Sequence, residues 1–237
     1  MFLIYQIILT FLLILSPAVI LLRILKNKEN KKRFVEKFSF PSKKRTSGKL
    51  IWFHGASVGE LLSILPIIKI YEKKKSINQI LVTSSTLSSS KVFEKYNLKK
   101  TIHQFYPIDH FIFTNKFLKF WKPDLALFIE SEIWPSMFKN LKSKKIPLVL
   151  LNARFTKKTF NRWIKIKRFF KSVLDNVTIA YPQNLETRNY LKKMKINNIK
   201  LIGNIKFAEI NNKFNEKLDK SLNSELGKKK IWVASST

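Results

Sequence analysis

An α/β domain built on a parallel sheet is the fold that this chain predicts, and three observations lead there. From Leu50 onward, short apolar runs alternate with stretches of helical period, the pattern of strands and helices that take turns along a sheet covered on both faces. Residues Ile51 to Glu60 (Ile-Trp-Phe-His-Gly-Ala-Ser-Val-Gly-Glu) pass from an apolar strand through a small-residue turn into a helix start. With 45% hydrophobic and 13% aromatic residues, the chain has enough apolar surface for a sizeable core.

Residues 1–22 hold no charged residue and are mostly Leu, Ile, Phe and Val, long enough for a helix to cross a bilayer. A signal peptide carries its positive charge before the apolar core, whereas here Arg23, Lys26, Lys28, Lys31, Lys32 and Arg33 come after it. The stretch is therefore expected to anchor the chain in a membrane, with the remainder of the chain on the cytoplasmic side. Pro17 leaves a second geometry open, a helix half-sunk in one leaflet. Residues 23–47, with Lys43, Lys44 and Arg45 beside Pro41 and Gly48, read as a basic, solvated linker near lipid head groups.

The domain proper is expected over residues 48–210. Strands are predicted at Leu50–Phe53, Gln79–Thr83, Gln104–Tyr106, Leu125–Ile129, Pro147–Leu151, Val177–Ala180 and Ile199–Ile202. Helices are predicted near 60–74, 87–97, 109–121, 135–143, 156–174, 184–194 and 214–225. Residues 211–230 read as a polar interdomain linker, and Ile231-Trp232-Val233-Ala234 followed by Ser235-Ser236-Thr237 reads as the first strand and turn of a second domain. On that reading the chain is a fragment or a shortened protein.

Composition narrows the chemistry. There are no cysteines, so disulfides and thiolate metal sites are excluded, and His54, His103 and His110 lack the spacing of a zinc centre. The net charge of +31 suits an anionic membrane surface or a phosphorylated substrate, although abundant Lys, Asn and Ile also suggest a compositional bias. The basic residues are scattered and no nucleic-acid module is recognisable, so no nucleic-acid partner is expected.

Polar residues gather where the predicted strands end, which in open α/β sheets is where ligands bind. Glu60 falls at a helix N-terminus after the first strand, placed either for proton chemistry or merely to complement the helix dipole. Thr83-Ser84-Ser85-Thr86 could bind a phosphate, but is expected rather to cap the next helix. Glu130-Ser131-Glu132-Ile133-Trp134-Pro135 puts two acids after a buried strand, with Pro135 suited to a first helical turn. Asn152-Ala153-Arg154 and Gly203-Asn204-Ile205-Lys206 come after later strands. Several such clusters on one rim predict a cleft. Gly55-Ala56-Ser57-Val58-Gly59 also matches the G-x-S-x-G nucleophile elbow, making a serine hydrolase the rival enzyme class. That rival needs a late catalytic histidine, and only His103 and His110 lie beyond Ser57.

Taken in order, F-H-G-A-S-V-G-E (53–60), E-S-E-I-W-P (130–135), N-A-R (152–154), G-N-I-K-F (203–207) and W-V-A-S-S-T (232–237) resemble the 3-deoxy-D-manno-octulosonic acid (Kdo) transferases of bacterial lipopolysaccharide synthesis. The resemblance implies a GT-B-type glycosyltransferase whose N-terminal, Rossmann-like, membrane-anchored domain binds the acceptor, while a second domain binds CMP-Kdo. It implies Kdo transfer to a hydroxyl of the lipid A precursor at the cytoplasmic face of the inner membrane, in contact with anionic lipids. Neither cofactor nor metal is implied, CMP-Kdo being the substrate. Glu60 would be the general base, and Glu130 and Lys206 would stabilise the transition state. Ser57, Gly59, Glu132, Asn152, Arg154 and Asn204 would line the acceptor cleft. Most of the donor domain is not in the sequence, so a non-catalytic, membrane-bound acceptor-binding module is the alternative.

Overall fold

Leu50 and Trp52 point to one side of their strand and Ile51 and Phe53 to the other, and all four are buried. A period of two gives this pattern when both faces of a sheet are covered. The computed structural model describes residues 1–207 apart from Asn97. It places that strand, β1 (Leu50–His54), near the middle of a six-stranded sheet. The others are β2 (Gln79–Ser84), β3 (Thr101–Phe105), β4 (Leu125–Ile129), β5 (Leu148–Ala153) and β6 (Ile179–Pro182). All pair in parallel, in the order β3-β2-β1-β4-β5-β6, with Trp52 level with Leu81 and Ala126. The order reverses between β1 and β4, so their carboxyl ends flank the crevice at which such sheets take ligands.

Helices cover both faces. α1 (Phe2–Leu25) precedes the sheet, and α2 (Val58–Lys73) and α3 (Leu87–Glu94) come after β1 and β2. Leu61, Ile64 and Ile68 of α2 pack with Phe93 of α3 against Ile51, Phe53 and Val82. On the other face, α4 (Phe111–Trp121) and α5 (Pro135–Ser143) enclose Trp52 and Phe128. The Trp52 ring lies 4.9 Å from that of Phe117 and 5.1 Å from that of Phe128. α6 (Lys157–Lys165), α7 (Lys167–Leu174) and α8 (Leu185–Lys193) complete this layer. Ser57, Thr86, Thr156 and Asn184 cap their helices through side-chain oxygens, as expected for Thr86. Pro135 opens α5 as expected.

Five expectations are corrected. The predicted helix 156–174 is two helices, broken at Ile166. Trp163 and Phe170 stack at 3.6 Å across the break, whereas seven residues of continuous helix would separate them by about 10 Å. The predicted strand Ile199–Ile202 is reduced to one bridge, from Ile199 to Ala180, because the chain then turns to bring Ile205 to Asn152. β3 begins earlier than the predicted Gln104, and β6 runs later than the predicted Val177–Ala180.

Finally, part of the stretch read as a solvated linker is packed against the domain. Its carboxylates Glu29 and Glu36 are buried among its cations. Glu36 accepts the Phe105 N–H (2.7 Å), and Arg33 donates to the His103 carbonyl (2.9 Å), which covers the open edge of β3. Two units are distinguished, Met1–Ile205 and Lys206–Thr237. Of the second, Lys206 and Phe207 are described, so the predicted helix 214–225, linker 211–230 and strand from Ile231 lie outside the described residues.

Asp109 joins the two layers that meet at α5. Its buried carboxylate accepts the Ser136 and Met137 N–H groups (both 2.9 Å) and the Tyr5 hydroxyl (2.8 Å). Burial pushes the carboxyl up to about 6, and these hydrogen bonds only partly oppose it. The folded state then holds a proton that the unfolded chain releases near 3.8, so this group's stabilisation is full below that pH and lost as pH rises through about 6. Buried His103, held down to about 3 by burial, acts with the opposite slope. The parent and Asp109→Asn should therefore be compared directly. Thermal melts in detergent between pH 4 and 7 should show the variant gaining on the parent as pH rises, and parallel curves would disprove the assignment.

Candidate active site

The site starts from β1. His54 ends the strand fully buried, and the chain then turns through Gly55 and Ala56 into α2. A side chain at Gly55 would meet Cβ of Glu60 and Cδ2 of Leu61, each at 3.2 Å. The missing Cβ thus lets the turn lie against the first turn of the helix. Ser57 is the N-cap, its Oγ accepting the Glu60 N–H at 3.3 Å. The Glu60 carboxylate folds back over the turn, accepting the Ala56 N–H (2.8 Å) and the Ser57 hydroxyl (3.0 Å). This is a variant of the capping box, with the acid reaching one residue further back than the cap.

The two readings of Glu60 are therefore compatible: it caps the helix, and the same bonds hold its carboxylate in one place. Burial raises its pKa, opposed by the bonds from Ala56 and Ser57 and assisted by the charges of Glu132 and Glu130. That repulsion places three acids within electrostatic reach at the switch point. Glu130 comes directly after β4, with φ of 56°, and its N–H bonds the Leu151 carbonyl at 3.0 Å. The left-handed backbone there turns the chain sharply at the strand end.

Glu132 is held by two donors, Nε2 of His54 at 3.3 Å and Nε1 of Trp134 at 2.9 Å. Burial favours its protonation, but the bond and attraction from His54 and the bond from Trp134 prevail and lower its pKa. On its other side His54 Nδ1 lies 3.0 Å from Thr83 Oγ1, which also takes the Trp52 indole N–H at 2.9 Å. The imidazole stacks on Tyr106 at 3.9 Å. β1, β2, the loop after β3 and the loop after β4 are thus linked through one ring. The motifs did not single out His54 for this role. Its place at the carboxyl end of the central strand, just before the glycine turn, was the available signal.

Of the remaining sequence-predicted residues, Asn152 is buried at a bulge in β5 with φ of 53°, and its Oδ1 accepts the Ile205 N–H at 3.2 Å. The clusters after β5 and near Asn204 therefore meet. Asn204 itself is half-buried. Arg154 is exposed, and the Ser131 hydroxyl bonds its carbonyl. Gly59 is exposed, with nothing near the place of an added Cβ. Lys206 is exposed and belongs to the second unit, described by itself. Ser57 is hydrogen-bonded to Glu60, not to a histidine, so the elbow motif is met without the partner that a hydrolase requires. Among the described residues, no group of three or more His, Asp or Glu is placed to hold a metal ion.

Sheet order, crevice and helix start define a Rossmann-type domain of the kind found in GT-B proteins. Residues 32–209 match the family described as 3-deoxy-D-manno-octulosonic-acid transferase (kdotransferase), and the chain belongs to that family. A 3-deoxy-D-manno-octulosonic acid transferase of Rickettsia felis is 39% identical over 188 residues, 79% of this chain and 40% of that protein. One of Rickettsia bellii is 36% identical over 220 residues, 93% of this chain and 52% of that protein. The chain thus spans about half the length of the curated relatives it matches. Among solved structures, a putative UDP-N-acetylglucosamine 2-epimerase from Listeria monocytogenes aligns with TM-score 0.54 at 11% identity, covering 77% of this chain and 52% of that one, a likeness of fold alone.

The two glycines of the turn should respond oppositely. Gly59→Ala adds a methyl group in open space within a helix and should stabilise by about 0.5–1 kcal/mol. Gly55→Ala forces its methyl group against Glu60 and Leu61 and should destabilise by about 1–3 kcal/mol. Denaturant titration of each variant measures both, and equal effects would refute the close approach at Gly55.

Proposed function

We propose that the chain forms the acceptor side of a Kdo transferase. The whole protein would move Kdo from CMP-Kdo to a hydroxyl of the lipid A precursor. The observation that carries this reading is Glu60, a carboxylate fixed by two hydrogen bonds at the switch-point crevice of a chain from this family. An alcohol is a poor nucleophile, and a base within hydrogen-bond reach takes its proton as the new bond forms. A carboxylate whose pKa is raised by burial and by neighbouring acids is a stronger base than an ordinary one. The reaction inverts at the anomeric carbon in one displacement, so the enzyme supplies no covalent nucleophile and Ser57 serves to position Glu60. Glu130 would favour positive charge developing on the sugar, or orient a cation there, and Lys206 would offset charge on the departing phosphate or the Kdo carboxylate. No metal or cofactor enters this scheme.

The rest of the chain suits an acceptor that carries phosphates and acyl chains. α1 is long and apolar enough to hold the chain at a bilayer. The net charge of +31 would draw the domain to anionic lipids at the cytoplasmic face of the inner membrane. Search for the acceptor then takes place along a surface.

The whole protein carrying Glu60→Gln tests the mechanism. The amide still accepts from Ala56 and donates to Ser57, so fold and substrate binding should hold. Turnover, monitored as CMP release with the lipid A precursor, should fall about 10²- to 10⁴-fold. The parental rate should climb with pH through a range above that of an ordinary carboxylate, and the variant should lack this limb. A variant at near-parental rate would remove Glu60 from the mechanism; a parent that ignores CMP-Kdo would remove the function. The hydrolase rival is checked separately, since a fluorophosphonate probe should leave Ser57 unlabelled.

A further inference from the structure

α1 has the length and composition of a bilayer-spanning helix: 24 residues with a mean hydropathy of 2.6 over its most apolar window. Its contacts describe something else. At about 1.5 Å per residue it is about 36 Å long, so a spanning helix would carry its first turns to the far side of the membrane. Here both ends are tied to the same domain. Near the N-terminus, Tyr5 donates to Asp109 (2.8 Å), Gln6 donates to Ser136 (2.7 Å), and the Gln6 side-chain Oε1 accepts the Phe111 N–H (2.9 Å). Thr10 lies within hydrogen-bond distance of His110 (3.3 Å), and the Phe2 ring packs edge-on to Phe111 beneath the Lys139 ammonium. At the other end, Arg23 pairs with Glu29, which pairs with Lys37, whose carbonyl accepts the Ile108 N–H.

The polar residues of the N-terminal half are therefore spent on the domain, and the opposite side of the helix has no partner of comparable kind among the described residues. Leu3, Ile7, Phe11 and Ile14 are 60–72% exposed. This apolar surface continues past Met1 to Ile164 and Ile166, which share a cavity with Lys165, Lys167 and Arg168. Cations flank both ends of the helix: Lys139 and the Lys165–Arg168 group at one, Arg23, Lys26 and Lys28 at the other. An apolar band edged by cations on the same side matches the surface of a bilayer rich in anionic head groups.

We propose that α1 lies in the plane of the membrane, its apolar face sunk into one leaflet and both of its ends on the domain side, and does not cross the bilayer. Crossing would break the bonds of Tyr5 and Gln6 and take the hydroxyl away from the buried Asp109 carboxylate. It would also strand the N-terminal cations far from the first turn they surround. In the plane, α1 holds the carboxyl edge of the sheet at the lipid surface. A cavity of about 280 Å³ lies there between Tyr5 and Leu9 on the helix and Tyr106 and Trp134 beside the Glu132 network. The proposal rests on the membrane attachment proposed above but not on which sugar is transferred.

The chain has no cysteine, so introduced pairs report without background. The full chain carrying Gln6→Cys with Ser136→Cys is made in a bacterial host and treated in inside-out membrane vesicles with a short bis-maleimide. Nearly all of the membrane-bound chain should be bridged internally, with the pair Thr10→Cys and His110→Cys as a second reporter should the first disturb the fold. In intact spheroplasts, Leu3→Cys should resist a membrane-impermeant maleimide. Failure of both pairs to bridge in protein that sediments with the membrane would overturn the in-plane helix, as would labelling of Leu3→Cys from outside. Recovery of the chain in the soluble fraction would overturn the attachment itself.

Discussion

Burial of the sheet on both faces is the constraint on which the other features depend. A strand covered above and below has room for apolar side chains only, so β1, β2 and β4 can carry chemistry only where they end. Thr83 and His54, near the ends of β2 and β1, are fully buried polar residues, and each is satisfied by the other and by Trp52 and Glu132. This relay connects the buried indole to the first carboxylate that meets the crevice. A buried polar group without partners would cost several times what a hydrogen bond contributes, so the relay must be complete or absent. It also explains why Glu132 and Glu60, a few residues from different strands, differ in their acidity. Glu132 is paired with donors that favour its charge, whereas Glu60 answers to burial and to the other two acids.

Much of this was legible in the sequence. The apolar run Leu50–Phe53, the glycine turn, Ser57 three residues before Glu60 and the proline at the start of α5 are local signals, and local signals survive folding. The break at Ile166 was not legible, because no glycine or proline marks it and the ring stack that spans it joins residues brought together only in three dimensions. The packing of Glu29 and Glu36 was hidden for a related reason. Among so many cations two acids read as noise, yet both are buried there, one of them beside an open strand edge. In the candidate site, the sequence pointed to the carboxylates but not to His54, whose importance lies in linking four segments.

Two residues of the site depart from ordinary backbone geometry. Glu130 and Asn152 both take the left-handed conformation, at φ of 56° and 53°, where a residue with a side chain costs about 1 kcal/mol or more. Glu130 follows the end of β4, and Asn152 is the bulged residue just before the end of the adjacent β5. Asparagine tolerates this conformation better than most residues, and glutamate does not. Such a cost, retained twice on one rim, marks a place where the direction of a side chain matters more than local stability.

The bonds of α1 to the domain bear on how the chain matures. Tyr5 and Asp109 are 104 residues apart and Gln6 and Ser136 are 130 apart. At roughly 5–20 residues per second of synthesis, the first helix leaves the ribosome about 5 to 26 seconds before its docking surface exists. During that interval its apolar surface has no protein to cover it, and aggregation is the ordinary fate of such a segment. On the membrane attachment proposed above, early delivery of the nascent chain to lipid would resolve the conflict, the bilayer sheltering the helix until α4 and α5 close over its polar edge. The leading helix would then act as a folding template, and the order in which the pieces are translated would become part of how this domain reaches its native state.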